Sequence, residues 1–450
     1  MACSMNRNTP STLFVSIASY RDPELIPTLK DMLKMAANPQ RLHITVCWQD
    51  NNDITPFLDQ GFTVAFVEDH ESGALYKLSF AGAIIQVISL HYYTSQGACW
   101  ARHMAETRFE DEDYFLQVDS HCRFIEHWDE EMINTVEQLR SMSPKPVLST
   151  YPPPYDPDNT EERKRYISRL IFREFTPQGI VMLSSRPVTP ASPLRCGYLA
   201  GGFIFAPGSF VREVPNDPQI FFAGEEIAMA ARAWTSGYDI YCPHKILLWH
   251  FYGRRQHPKV WGDHSNEAKA TGSVKVAWWE RDNIAKQRVR TLLGLEAQPC
   301  EMGRYGLGTV RDFPSFEKAI GVNFRERAVH PDVTGVNKVS FFAEDNSGAS
   351  QNDNAFIYPY RKVMKIPASE LDYQRTDIAW WHLGIYDETN TLLYRQDLTP
   401  ESLKKQVTLI EDQLEIIVEF TSPSAVAPAS VRLSPFSESE GWGEVVQKPW

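Results

Sequence analysis

Asp119 and His121 flank a single serine at the end of the apolar run Tyr114-Phe115-Leu116-Gln117-Val118. Side chains alternate along a strand with period two, so residues two apart at a strand end point the same way. A carboxylate and an imidazole so placed can share one divalent cation and leave coordination positions open for phosphate oxygens. The plainer alternative is a strand end whose Asp and His hydrogen-bond nearby backbone. An isolated pair at this spacing does not choose between the two.

Other chemistry-bearing residues lie at a distance. His250 follows the apolar stretch Leu247-Leu248-Trp249 and precedes Arg254 and Arg255. It is expected to close the metal site as a third ligand, with the arginines on a phosphate. A lone histidine after an apolar strand is otherwise a packed turn residue. Arg102, between Ala101 and His103, precedes the Asp119 strand. Its planar fork suits a diphosphate; an exposed arginine is the alternative. Gly224-Glu225-Glu226 presents two carboxylates at a helix start. One is expected to contact hydroxyls of a bound molecule and the other to cap the helix. Ser16, Ala18, Tyr20 and Arg21 end the first strand. Small residues there let a base and ribose approach, and Arg21 can reach a charged group. Ser120 is grouped with these nucleotide contacts, and Arg123, Trp128 and Asp129 follow the motif.

The elements that must position these groups read as α/β. Leu13–Ser19 is an expected buried strand. The next helix is expected to carry Asp22 as N-cap and Pro23 at its first position. Leu25, Leu29, Met32, Leu33 and Ala36 share its inner face. Leu42–Trp48 and Phe62–Val67 are further strands. Strand, helix, strand in this order implies a parallel pair with a crossover. Helices are expected over Gly97–Phe109, Ile227–Ser236 and roughly Val274–Leu295, and short strands over Tyr238–Cys242 and Ile246–Trp249. The proline-rich stretch 141–196 is expected to form long ordered loops. A polar linker at 344–353 separates a first domain, 1–343, from a β-sandwich-like domain, 354–450, with a hairpin at Ile378–Tyr386 and Thr391–Tyr394. Trp380 and Trp381 are expected to pack in its core.

The whole chain bounds the reading. Its 450 residues suffice for two or three domains. Apolar content of 43% and charged content of 23% fit a globular protein. A net charge of −12 argues against broad nucleic-acid binding. No apolar run reaches membrane-span length, and the first residues carry no signal-peptide core. Seven scattered cysteines without a C-x-x-C pair suggest reduced thiols in a cytoplasmic protein.

Several segments together resemble glycosyltransferase family 60, the retaining polypeptide α-N-acetylglucosaminyltransferases. They are Leu13–Leu25, Gln117–Phe124 with Trp128-Asp129, the Gly201-Gly202-Phe203 and Gly224-Glu225-Glu226 stretches, His250–Arg254 and Tyr305–Arg311. That family includes a cytoplasmic enzyme acting on hydroxyproline of a ubiquitin-ligase adaptor, and trypanosomatid mucin-type enzymes. The resemblance covers roughly 12–325. A more distant similarity is to mucin-type polypeptide N-acetylgalactosaminyltransferases, whose segment carries Asn where Glu226 stands here. The resemblance implies a GT-A fold (a Rossmann-like mixed sheet), UDP-GlcNAc as donor, Mn2+ or Mg2+, and a protein, peptide or glycan acceptor. It implies Asp119, His121 and His250 as metal ligands, Glu225 as the carboxylate on sugar or acceptor, and Arg102 toward the diphosphate. Retention needs no protein nucleophile if the acceptor attacks on the face the diphosphate leaves.

Two other readings stay open at this level. A metallophosphoesterase also uses Asp-x-His, but needs further ligands for two metals, and Gly262-Asp263-His264 is the one other suggestive piece. A non-catalytic sugar-binding protein with an inactive transferase-like domain is the second.

Overall fold

The computed structural model describes residues 11–70, 73–159, 161–343 and 356–450. The first ten residues and the expected linker 344–353 lie outside the described residues. The chain divides into two compact units, 1–321 with 339–346 and 322–338 with 347–450.

Among its described residues the first unit carries fourteen strands: β1 (Leu13–Tyr20), β2 (Leu42–Asp50), β3 (Thr63–His70), β4 (Gly73–Phe80), β5 (Ala83–His91), β6 (Tyr114–Asp119), β7 (Cys122–Phe124), β8 (Pro146–Ser149), β9 (Ile167–Phe175), β10 (Val181–Val188), β11 (Leu194–Arg195), β12 (Phe203–Pro207), β13 (Asp239–Cys242) and β14 (Leu248–His250). Ten of them form one mixed sheet in the order β11-β13-β8-β12-β6-β1-β2-β5-β4-β3. The expected mixed α/β architecture is therefore present. β1 pairs in parallel with both β2 and β6, and β12 runs antiparallel to β6. Central strands covered on both faces read as unbroken apolar runs. β6 fits, since Tyr114 to Val118 are all buried. Leu13, Val15 and Ile17 of β1 pack in one core with Leu116, Val118, Phe203 and Phe205.

The helix after β1 spans Leu25–Met35 and buries Leu25, Leu29, Met32 and Leu33, as its spacing implies. Asp22 does not cap it: Glu24 holds the N-cap position with no side-chain cap bond. One Asp22 oxygen accepts from Glu24 N at 3.1 Å, and the other turns inward. The cause is competition: a buried imidazole offers that oxygen a stronger partner than a helix end does.

The stretch 141–196 is more regular than its prolines suggest. It holds β8 and an antiparallel β9–β10 hairpin with a register shift at Met182/Leu183. Among the described residues β10 pairs with β9 alone, an edge position of the kind in which a proline such as Pro187 is tolerated. The β3-β4-β5 meander has β4 and β5 where no strand is expected. Ala81 and Gly82, both at positive φ, form the two-residue turn that closes its second hairpin.

The second unit is antiparallel. A three-stranded sheet pairs Tyr358–Pro367, Gln413–Ser422 and Val407–Ile410. A second sheet centres on Ile378–Tyr386 between Leu392–Leu398 and Ser430–Ser437. Both feed one core containing Ile366, Trp381, Leu383, Ile416 and Leu433. Trp381 is buried there, but Trp380 faces the other way and stacks on Phe436 at 4.2 Å. Adjacent strand residues cannot share one face.

Among the described residues, no helix is long and apolar enough to cross a membrane. Six described cysteines are unpaired, five of them buried.

Candidate active site

Asp119 is the last residue of β6 and pairs in register with Ala18 of β1, so both lie at the carboxyl edge of the sheet. There the chain turns into β7, which pairs with β14 so that Cys122 faces His250. This short ladder brings His250 beside His121, with ring centroids 4.5 Å apart. The Leu25–Met35 helix clamps the turn. Thr28 Oγ1 donates to Ser120 O at 2.9 Å and accepts from Cys122 N at 3.0 Å. Asp31 accepts from Phe124 N at 2.7 Å. The proline run holds the other strand: His250 N donates to Pro153 O, and Tyr155 N to His250 O.

One ligand atom each from Asp119, His121 and His250 lies within 4.8 Å of the others. Both imidazole Nε2 atoms approach the same Asp119 oxygen, His250 at 3.1 Å and His121 at 3.9 Å. Two ring nitrogens and a carboxylate, converging from buried positions, fit a divalent cation. His250 Nδ1 has no hydrogen-bond partner among the described residues. His121 Nδ1 donates to Asp22 at 2.8 Å. Burial opposes charge on Asp119, but the hydrogen bond from His250 and the nearby Arg102 outweigh it and hold its carboxyl well below the usual range. His121 is held below the ordinary histidine value by burial, against the pull of Asp22.

The trio borders a cavity of about 540 Å³, a size typical of small-molecule sites. Ala18, Tyr20, Arg102, Ser120, Glu225, Glu226 and Arg254 also line it. Arg102 bridges two acids, donating to Asp119 at 3.1 Å and Glu225 at 2.8 Å. Cys99 Sγ donates to the same Glu225 oxygen at 2.9 Å. Glu226 accepts from Tyr151 OH at 2.6 Å and from Gly201 N at 3.0 Å. Burial chiefly, with the neighbouring Glu225 charge, pushes its carboxyl up to about 7.

Ser16 and Arg21 are not on this wall. Ser16 is fully buried inside β1. Arg21 pairs with Asp263 at 2.9 Å and lies over the Tyr92 ring. Asp263 also accepts from Tyr20 OH at 2.8 Å, so the Gly262-Asp263-His264 piece is engaged in packing these segments. Arg255 is absent from the wall as well. Trp128 and Asp129 belong to the scaffold: Asp129 accepts from Ala37 N and Asn38 N beyond the Leu25–Met35 helix. The Tyr305–Arg311 motif packs on the end of the Glu225–Thr235 helix, where Gly308 N donates to Thr235 Oγ1.

Three wall or support residues escape sequence reading: Lys259, Tyr151 and Asp22. Lys259 lines the cavity, and burial and Arg254 lower its pKa. It has no motif around it. The β9–β10 hairpin also contributes Arg173, Met182 and Leu183 to the wall, which only its register reveals.

A family model described as Glycosyltransferase (GlcNAc) matches residues 12–326. No curated protein matches the sequence. Among solved structures, GalNAc-T7 with UDP, GalNAc and Mn2+ is 14% identical with a TM-score of 0.42, over 68% of this chain and 54% of that one. This chain thus spans about half the length of that structure. S. aureus TarS is 10% identical with a TM-score of 0.36, over 97% and 77% of the two chains. The mannosyltransferase PcManGT from Pyrobaculum calidifontis, with GDP-Man and Mn2+, is 12% identical with a TM-score of 0.34, over 56% and 59%.

Proposed function

Because this chain belongs to the glycosyltransferase (GlcNAc) family, we propose that it is a metal-dependent retaining transferase of the family 60 type. It moves GlcNAc from UDP-GlcNAc onto a hydroxyl of a protein, peptide or glycan acceptor, in the cytoplasm. One observation carries this reading: the Asp119, His121 and His250 ligand atoms converge at a cavity that Arg102, Arg254 and Lys259 also line.

Asp119, His121 and His250 would hold a divalent cation, Mn2+ or Mg2+, which when bound would supply positive charge beside the departing diphosphate. Arg254 and Lys259 donate to phosphate oxygens. Arg102, fixed between two acids, adds positive charge and keeps Asp119 and Glu225 in place. Ala18, Tyr20 and Ser120 border the donor, and Glu225 and Glu226 face sugar or acceptor hydroxyls. The acceptor oxygen bonds to the anomeric carbon on the face from which the diphosphate leaves. The old carbon–oxygen bond breaks as the new one forms, and the hydroxyl proton passes to a departing phosphate oxygen.

The test is UDP release from UDP-GlcNAc by purified protein, with UDP-GalNAc and UDP-glucose alongside. Release with Mn2+ or Mg2+ and its loss on chelation are expected. His250→Ala should lower the rate by more than the roughly 10–100-fold typical of losses outside the metal's own ligands. Phosphoester turnover without sugar transfer overturns the reading, and so does no UDP with any metal. Mass spectrometry of a labelled lysate then identifies the acceptor.

A further inference from the structure

The geometry points to Asp22 as the residue that positions His121 for the cation and, through the same oxygen, holds Arg254 at the cavity. This rests on the metal-site reading above. The Asp22 side chain has no solvent exposure. Its Oδ2 accepts from His121 Nδ1 at 2.8 Å and from Ser120 Oγ at 2.5 Å, and it pairs with Arg254 at 3.3 Å. Oδ1 accepts from Glu24 N at 3.1 Å.

Such a buried carboxylate needs donors around it, and here the three donors to Oδ2 all come from the site. With the Nδ1 proton given to Asp22, the His121 lone pair sits on Nε2. That is the nitrogen facing Asp119 and His250. A ligating imidazole whose other nitrogen donates to a carboxylate is fixed in tautomer and ring angle, and becomes a better ligand. His250 lacks such an anchor, since its Nδ1 has no partner among the described residues. Its position comes from the β7–β14 ladder and Pro153 instead. One imidazole is thus set by backbone and the other by Asp22. Because Arg254 shares the carboxylate, the cation site and a phosphate-facing arginine are registered to each other by one residue.

Asp22→Asn keeps shape and removes the charge. Its Mn2+ dissociation constant, read from the free-ion electron paramagnetic resonance signal without nucleotide, is expected to rise about 10–100-fold. Asp129→Asn is the comparison, a buried carboxylate that binds only backbone and Arg41. It should lower the melting temperature yet leave Mn2+ affinity within about twofold. An Asp22→Asn protein that binds Mn2+ like wild type overturns the assignment and leaves the metal site standing. Wild-type protein that binds no Mn2+ overturns both. If Asp22→Asn does not fold, nitrogen-15 NMR of histidine-labelled wild type decides. A proton on Nδ1 of His121 supports the assignment, and one on Nε2 overturns it.

Discussion

Glu226 is a cavity-wall residue whose charge state the fold contests. Burial and the adjacent Glu225 raise its carboxyl from 4.5 to about 7, although Tyr151 and Gly201 N both donate to it. An unfolded chain ionises this group near the ordinary value. Between these two pKa values the native state binds more protons, so this group's contribution to stability falls as pH rises from about 4.5 to 7 and stays lost above. Glu226→Gln removes the penalty. Its unfolding free energy from urea titration, relative to wild type, should shift in the variant's favour from pH 5 to pH 8 by on the order of 1–3 kcal/mol. A difference that is flat with pH would show that Glu226 is ionised across the range. Spacing alone puts two acids at a helix start, and only the resemblance to a known family tells Glu225 from Glu226. Arg102 and Cys99 take Glu225 while Tyr151 takes Glu226, and those partners lie 75 to 126 residues away.

At the level of elements, the Gly201-Gly202 turn before β12 sets how closely the sheet edge approaches the acids. A Cβ on Gly202 would lie 2.6 Å from Asp119 Oδ2, and one on Gly201 2.2 Å from Glu225 Oε1. Gln117 Nε2, inside β6, fixes Gly201 O at 2.7 Å. Gly202→Ala should fold but push the Asp119 carboxylate aside. We expect weaker Mn2+ binding and a fall in kcat/KM of about 100-fold, the cost of roughly 1 Å of misplacement. Wild-type values for both would mean the carboxylate has room to move. The neighbouring strand β6 is legible because a buried apolar run announces itself, whereas β12 is not among the expected strands. The β9–β10 hairpin was masked by surrounding prolines, and Asp22 passed for a helix cap because its buried partner was invisible.

At the scale of the molecule, each compact unit has its own core, one around Leu116, Phe203 and Phe205 and one around Trp381, Leu383 and Ile416. Trp381→Ala deletes the largest side chain of the second core, at a cost of about 3–5 kcal/mol. Calorimetry should show one transition moving down while Mn2+ affinity is unchanged. Movement of the whole profile as one step would instead mean that the two cores unfold together.

What the sequence determined alone were the strand carrying Asp119, the two-residue spacing to His121, the helix-initial acids and the antiparallel character of the C-terminal strands. All of these are local, written in apolar periodicity and turn chemistry within a few residues. What only the tertiary structure decided was the company these residues keep. Pairing of β14 on β7 brings His250 to Asp119 across a sequence separation of 131 residues, Asp22 turns inward to His121, and Arg21 turns away to Asp263. Periodicity tells a side chain which face of its own strand to take, but its partner is fixed by long-range strand pairing and by the need of each buried charge for a counterpart.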